Sequence, residues 1–439
     1  MEGGTQPIGP ANDRRRQAIS PAEVLAAMRG RGGIAVCALG LFYLGDILIH
    51  LPGASHRGDF SAYYLSGLAI RLGMNPYAVS LNRLAGQFGF EPLPFDHPAD
   101  TPAMNLSFAL LSWLGPESAY RVWFGVELLA LLAAFLIMSR SAGRPGNGVK
   151  ITLAVFALAF TPLADNFRWA QSQTVVLLGL AMIFAFAREH RDAPAGIALG
   201  VLGLLRVYPL VMGGYLLSRR RWRSIAWMAA TIAIGGAATV AILGTAALHS
   251  YLGVLGLASG SHWLSLDPRL GLGGANFSLN AFIARPLEAI FGDEPSRRVA
   301  VFQRDFIAMA DVAILAGAFY ATRRGDDDDG RAFSLWVVTM LMVSPIVWAH
   351  YLAVLLVPFA QIALGALNGR VARRTWSWAR ISWCVIVLAT PIVAILGVAF
   401  PYTDWRVAAL SESGFLGLLA AWLAMRRFAA EASPAHAAQ

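Results

Sequence analysis

The sequence predicts an all-α polytopic membrane protein, and three observations carry that expectation. Of the 439 residues, 57% are hydrophobic and only 14% charged, where a soluble globular chain carries roughly 25% charged residues. The mean hydropathy is +0.56. The apolar residues are gathered into long runs, many near the roughly 17 to 25 residues a spanning helix needs, joined by short arginine-rich links.

The first run, 34–52, follows a segment that holds Arg14, Arg15 and Arg16 but no short apolar core with a small-residue cleavage site. Residues 1–33 are therefore expected to be a disordered cytoplasmic tail, and the run an uncleaved anchor. Further spans are expected near 119–138, 150–164, 173–187, 224–248, 306–322, 333–348, 350–368, 381–400 and 408–425. The segment 194–217 is too short for two full spans. Yet Arg188 and Arg191 precede it, and Arg219, Arg220, Arg221 and Arg223 follow it. Arginines mark cytoplasmic loops, so this segment is expected to enter and return as two short helices broken near Tyr208-Pro209. About twelve crossings result, with both termini inside, in a single membrane domain over 34–427 and a second short cytoplasmic tail over 428–439.

The charge pattern sets the expected orientation. The net charge is +9, and most of the 35 Lys and Arg residues fall on the assigned inner side. The basic pI therefore reflects inner loops rather than a nucleic-acid partner. Lys150 is the only lysine; with abundant Ala and Gly, that bias fits a high-GC bacterium and hence its inner membrane. Two long segments, 53–118 and 249–305, lie outside. Within the outer regions 61–73, 104–114 and 277–291 are short amphipathic or partly apolar stretches, expected to lie in the interface plane on the outer face. Cys37 and Cys384 sit inside apolar segments, which gives no disulfide framework and no metal-ligand spacing. Asp326 to Asp329 fall beside Arg323 and Arg324 on the inner side and are expected to be a solvated loop. With no D-x-D or histidine cluster on the outer face, no metal and no cofactor is expected.

The polar residues carry the chemistry. At the outer ends of the spans stand Asp59, the run Asp165 to Gln173, Arg206, the run Asn276 to Asn280, Trp348 and His350. Polar groups converging at one depth suit a site for an amphiphilic substrate, in which membrane lipids are partners too. Asp59 opens the stretch GDFSAYYLSG, where Phe60, Tyr63 and Tyr64 would partly desolvate it.

Five stretches in order resemble glycosyltransferase family 87. GDFSAYYLSGLAIRLGMNPYA is similar to its GDF/DF-x-x-Y-Y opening followed by P-Y. WAQSQTVVLLGLAMIFAF resembles its G-Q-x-N segment, with Ala170 for the glycine and Gln173 for the asparagine. RVYPLVMGGYLLSRRRWRS resembles its K-P-x-P and R-R-W element, with Arg206 for the lysine. GANFSLNAFIAR is similar to its G-N-Q-S-L element, with Phe277 for the glutamine, and SPIVWAHYLAVLLVP to its S-P-x-x-W-x-H. Thr101-Pro102-Ala103 stands where the family has Y-P-P.

The resemblance implies the C-type glycosyltransferase fold. It also implies inverting transfer of a sugar, typically mannose, from a polyprenyl monophosphate to a lipid-anchored glycan on the outer face. Asp59 would be the general base; its alternative is an ion pair with Arg57 or another outer arginine. Arg206 would hold the donor phosphate through its fork, or else pair with an acid or snorkel. Arg168 and Arg285 are further candidates for the donor, or surface charges. His350 would contact the phosphate or leaving group, or serve as a structural hydrogen bonder. Gln171, Gln173, Asn276 and Ser278 would orient sugar hydroxyls, or cap and satisfy loops. The rival functions are a lipid-glycan flippase, which predicts internal repeats that the sequence does not show, and a non-catalytic scaffold subunit.

Overall fold

A computed structural model describes residues 19–50, 56, 58–93, 96, 98, 100–141, 147–259, 276–291, 297–323 and 329–399. It also describes 405–431. Among these residues the chain is helical with no strand. Six helices among the described residues are long and apolar enough to cross a membrane: Arg31–His50, Pro116–Arg140, Trp222–Leu243, Val301–Arg323, Ala349–Leu367 and Arg373–Leu396. The pair Lys150–Leu158 and Thr161–Trp169, bent by 52°, makes a seventh when counted as one broken span. The expected crossing at 408–425 falls within the 26-residue helix Trp405–Ala430, and the remaining ones fall on shorter apolar helices, Gln173–Arg188, Asp192–Leu205 and Gly330–Met342 among them. At about 1.5 Å per residue these fall short of a roughly 30 Å hydrocarbon layer.

The expected break in the 194–217 segment is present, two residues early. Asp192–Leu205 ends at Arg206, which is extended, and a short 3-10 turn, Tyr208–Met212, then leads into Gly213–Ser218. Proline at the start of the turn has no N–H to continue the preceding helix. Thus Arg206 sits at a helix break, where its backbone leaves the helical path and its side chain faces inward.

Two expectations are corrected. Pro21–Arg29, assigned to a disordered tail, is a helix with a capping box between Ser20 and Glu23. It docks on the chain through Ile19 N–H to the Val371 carbonyl and through a 2.6 Å ion pair of Glu23 with Arg373. The second concerns Gly58–Arg71, expected to lie as an amphipathic helix on the outer surface. It is buried on every side from Phe60 to Ala69, because small residues let its neighbours close in. A Cβ at Gly67 would meet the Phe108 backbone at 2.3 Å, so this helix and Pro102–Leu111 touch main chain to main chain. The acidic stretch 326–328 lies outside the described residues.

The main core is built on Gln173–Arg188 and Asp329–Met342, nearly continuous in buried apolar side chains. Trp222–Leu243 stays at the periphery. A second core gathers Phe60, Tyr63, Tyr64, Phe108 and Trp123 around the buried helix. The site forms where the two cores meet.

Candidate functional site

Gly58 takes φ +64°, a left-handed conformation that glycine adopts at no steric cost. Asp59 follows in the first turn of Gly58–Arg71. The aromatic neighbours named from sequence are buried: Phe60 at 0%, Tyr63 at 2% and Tyr64 at 5% exposure. Burial pushes the Asp59 carboxyl above its usual range, against the pull of His350, of a Gln171 hydrogen bond and of Arg206, while Asp100 adds to the push. Arg57, the partner considered from sequence, lies outside the described residues.

Gln171 connects Asp59 to the rest of the site. The helix Thr161–Trp169 stops at Ala170, which adopts φ 50° and gives its carbonyl to the Trp123 indole N–H at 2.8 Å. Ala170 therefore carries a Cβ in a left-handed position where the resembled family has glycine. The reversal turns Gln171 inward. Its Nε2 donates to Asp59 Oδ2, and its Oε1 accepts from the Tyr63 hydroxyl at 2.6 Å and from Arg206 at 3.0 Å. Two donors on the oxygen and a carboxylate on the nitrogen fix which way the amide points. Asp59 Oδ1 has no hydrogen-bond partner among the described residues.

Arg206 is more heavily engaged than the sequence suggested. Its Nε donates to Ser172 Oγ at 2.8 Å, one terminal nitrogen pairs with Asp100, and the other donates to Tyr63 and Gln171. Its guanidinium also lies 5.5 Å from the Tyr63 ring centroid. Of five N–H groups, these bonds use four. Asp100 and Arg206 are both nine-tenths buried or more, so removing either would leave an uncompensated charge. Asp100 was missed from sequence. The available signal was an acid directly before Thr101-Pro102, where a capped helix begins.

His350 enters from the 3-10 segment Ala349–Leu355. Its Nδ1 stands 3.7 Å from Asp165 Oδ2, and its Nε2 is buried with no partner among the described residues. Asp165 in turn accepts from Tyr43 at 3.4 Å. Arg168 is exposed, donates to Tyr43 at 3.3 Å and lies over the Trp169 ring.

Gln173 is buried and accepts from Tyr208 at 2.5 Å. Its backbone N–H donates to Asn166, whose Nδ2 donates to Glu127 Oε1 at 2.7 Å. Glu127, completely buried in Pro116–Ser141, was also missed. A lone acid in an apolar run was its signal. Asn276 and Ser278 belong to a separate group. Asn276 forms an isolated bridge with Trp348 and accepts from Val347 and Ser278 N–H, while Ser278 accepts from Ala281 N–H at the start of Leu279–Phe291. Arg285 pairs with Glu412 at 3.0 Å and donates to the Asn276 carbonyl. This second group holds the loop beside His350 in place. Among the described residues no three His, Cys, Asp or Glu side chains gather in a way that would hold a metal.

A bundle with several membrane-length helices, and a buried polar network strung across their breaks, defines a polytopic membrane protein with a built interior site. Known sequences give the class a name. The pattern of glycosyltransferase family 87 matches residues 101–345, more than half of the chain, and the chain belongs to that family. It is a membrane glycosyltransferase. The match begins after Asp59 and ends before His350. Among curated proteins it is similar to the polyprenol-phosphate-mannose-dependent alpha-(1-2)-phosphatidylinositol pentamannoside mannosyltransferase of Mycolicibacterium smegmatis. The two are 23% identical over 347 residues, covering 76% of this chain and 78% of that one.

Proposed function

We propose that this protein transfers a hexose, mannose by analogy with its relative, from a polyprenyl-phosphate donor to a lipid-linked or envelope glycan. In this reading Asp59 is the general base and the anomeric configuration inverts. The observation that carries it is the asymmetry of the Asp59 carboxylate: Gln171 occupies one oxygen and leaves the other without a hydrogen bond from the described residues. A carboxylate that is fixed, largely dehydrated and open on one side suits proton removal from an alcohol.

In the step itself, Oδ1 of Asp59 takes the acceptor hydroxyl proton. The acceptor oxygen bonds to the anomeric carbon, and the bond from that carbon to the phosphate oxygen breaks. The electron pair leaves with the polyprenyl phosphate, so the donor supplies the driving force. Attack opposite the leaving group inverts the centre.

For the leaving phosphate, His350 is the best-placed group. In its protonated form it faces Asp165 as an ion pair at 3.7 Å from Nδ1, and its Nε2–H is available to donate to an incoming oxygen. Arg206 has one uncommitted N–H and supplies positive charge behind Gln171. It offers a full fork only if Asp100 releases it. Gln173 and Tyr208 lie on the same side and would meet sugar hydroxyls. Arg168, exposed beside Trp169, would meet the donor headgroup, and Asn276, Ser278 and Arg285 support the His350 loop.

The reading places this site on the outer face of a bacterial inner membrane, both termini in the cytoplasm, within the twelve-crossing C-type fold. Purified protein incubated with polyprenyl-phosphate sugars and a membrane lipid extract should produce a glycolipid heavier by one hexose in mass spectra. No product with any polyprenyl-phosphate hexose, from a folded protein, would leave a scaffold role.

A further inference from the structure

Far from Asp59 the bundle contains a cavity of about 490 Å³, within the range of small-molecule sites. Its walls are almost entirely apolar, among them Met28, Val36, Leu131, Phe135, Phe156 and Phe359. Gly30, Gly32 and Gly33 form one side, where the docked helix Pro21–Arg29 turns into Arg31–His50. Leu177 and Leu356 lie at the end nearer the site. The polar side chains of the lining are Ser139, Lys150, Arg380 and Cys384, with the indoles of Trp376 and Trp383.

This polar rim is cationic. Lys150 and Arg380 are exposed and pair with no described carboxylate. Arg29, Arg31 and Arg140 close the neighbouring helix ends. Of the described carboxylates near this end, Glu23 pairs with Arg373, and Glu431 accepts from the Ala372 N–H and the Thr375 hydroxyl. An apolar chamber with cations at its mouth that no described carboxylate pairs matches a lipid with an anionic headgroup, whose acyl chain goes in and whose phosphate stays at the rim.

The site is separate from the one that holds Asp59. Arg31–His50 begins at the cavity and ends shortly before Gly58. Its 20 residues put the two ends about 30 Å apart. A donor whose phosphate lies near His350 cannot also place that phosphate at Lys150. We propose that this cavity binds an anionic glycerophospholipid of the leaflet opposite the catalytic site. The lipid wedges between Pro21–Arg29, Pro116–Ser141 and Arg373–Ala399 and fastens the N-terminal helix to the bundle. The proposal does not depend on the sugar transferred or on the role of Asp59.

The full chain, stripped of lipid in detergent, is placed in nanodiscs of phosphatidylcholine with or without phosphatidylglycerol. Melting temperature and retained lipid, by native mass spectrometry, are then recorded. Phosphatidylglycerol should raise the melting temperature and remain bound. Lys150→Gln with Arg380→Gln should weaken its retention about 30-fold, since each cation near an anionic headgroup contributes about a fivefold preference. Ala157→Trp, which fills the chamber, should abolish retention while the protein stays monodisperse. Equal stabilisation by both lipids would overturn the proposal. So would unchanged retention in the double variant, or retention of added polyprenyl phosphate with none of phosphatidylglycerol.

Discussion

His350 Nδ1 faces Asp165 Oδ2 at 3.7 Å, both side chains buried, while His350 Nε2 has no partner among the described residues. The two come from distant parts of the chain, the bent helix Thr161–Trp169 and the 3-10 segment Ala349–Leu355. A carboxylate behind one ring nitrogen and an open second nitrogen orient the imidazole toward an incoming group. If His350 meets the donor as proposed, Asp165 is its positioning residue. Asp165→Asn should lower turnover by about tenfold to 100-fold, the usual effect of an outer partner that orients a histidine. His350→Gln and the double variant should then lose about the same activity, because both changes act through one ring. Additive losses would show that Asp165 acts elsewhere.

Asp59→Asn keeps the shape of the side chain but cannot take a proton. Turnover should fall by about 100-fold to 10,000-fold, with donor lipid still bound and the melting temperature nearly unchanged. A purely structural carboxylate gives the opposite pattern, an unstable protein with intact specific activity. Both quantities are read on one preparation.

The pH dependence follows from the burial of Asp59. Its folded-state carboxyl is pushed up, chiefly by desolvation, and Gln171 stabilises the ionised form. A base works only when ionised, so the rate should rise with pH through this elevated value. The acid limb should therefore lie above the ordinary aspartate range of about 3.9. Gln171→Leu removes a hydrogen bond from the ionised form and should move the limb to still higher pH. A limb unmoved by that change would separate Gln171 from the base.

Arg206 and Asp100 form a buried pair. Asp100→Ala should destabilise the protein by about 3–5 kcal/mol, as an uncompensated buried guanidinium does, measured by thermal or denaturant melting. Arg206→Lys replaces a fork with a point charge. If Arg206 also meets the donor phosphate, donor KM should rise in this variant while stability falls less than in Arg206→Ala. A changed stability with an unchanged donor KM would confine Arg206 to holding Asp100, Tyr63 and Gln171.

Topology is checked with reporters. A fusion after Asp59 should report the outside of the cell and one after Arg223 the inside. Both on one face would remove the paired helices of 194–217 and the expected orientation with them.

The sequence by itself determined the solvent and the secondary structure. Apolar runs such as 34–52 and 119–138 allow little but helix in hydrocarbon, where every backbone group must find its partner locally. The break after Arg206 was legible because proline cannot extend a helix, and five short motifs in order were enough to indicate the family. Tertiary structure decided what those signals leave open. GDFSAYYLSG reads as a surface stretch, yet Gly67 lets it sink against Phe108, and ten consecutive residues from Phe60 to Ala69 are buried. Arg206 reads as a phosphate ligand or as half of an ion pair, but only packing shows that the acid is Asp100, 106 residues away in the chain. Periodicity and composition are local quantities. Which acid meets which base depends on how separate helices pack, and no single stretch of the chain encodes that.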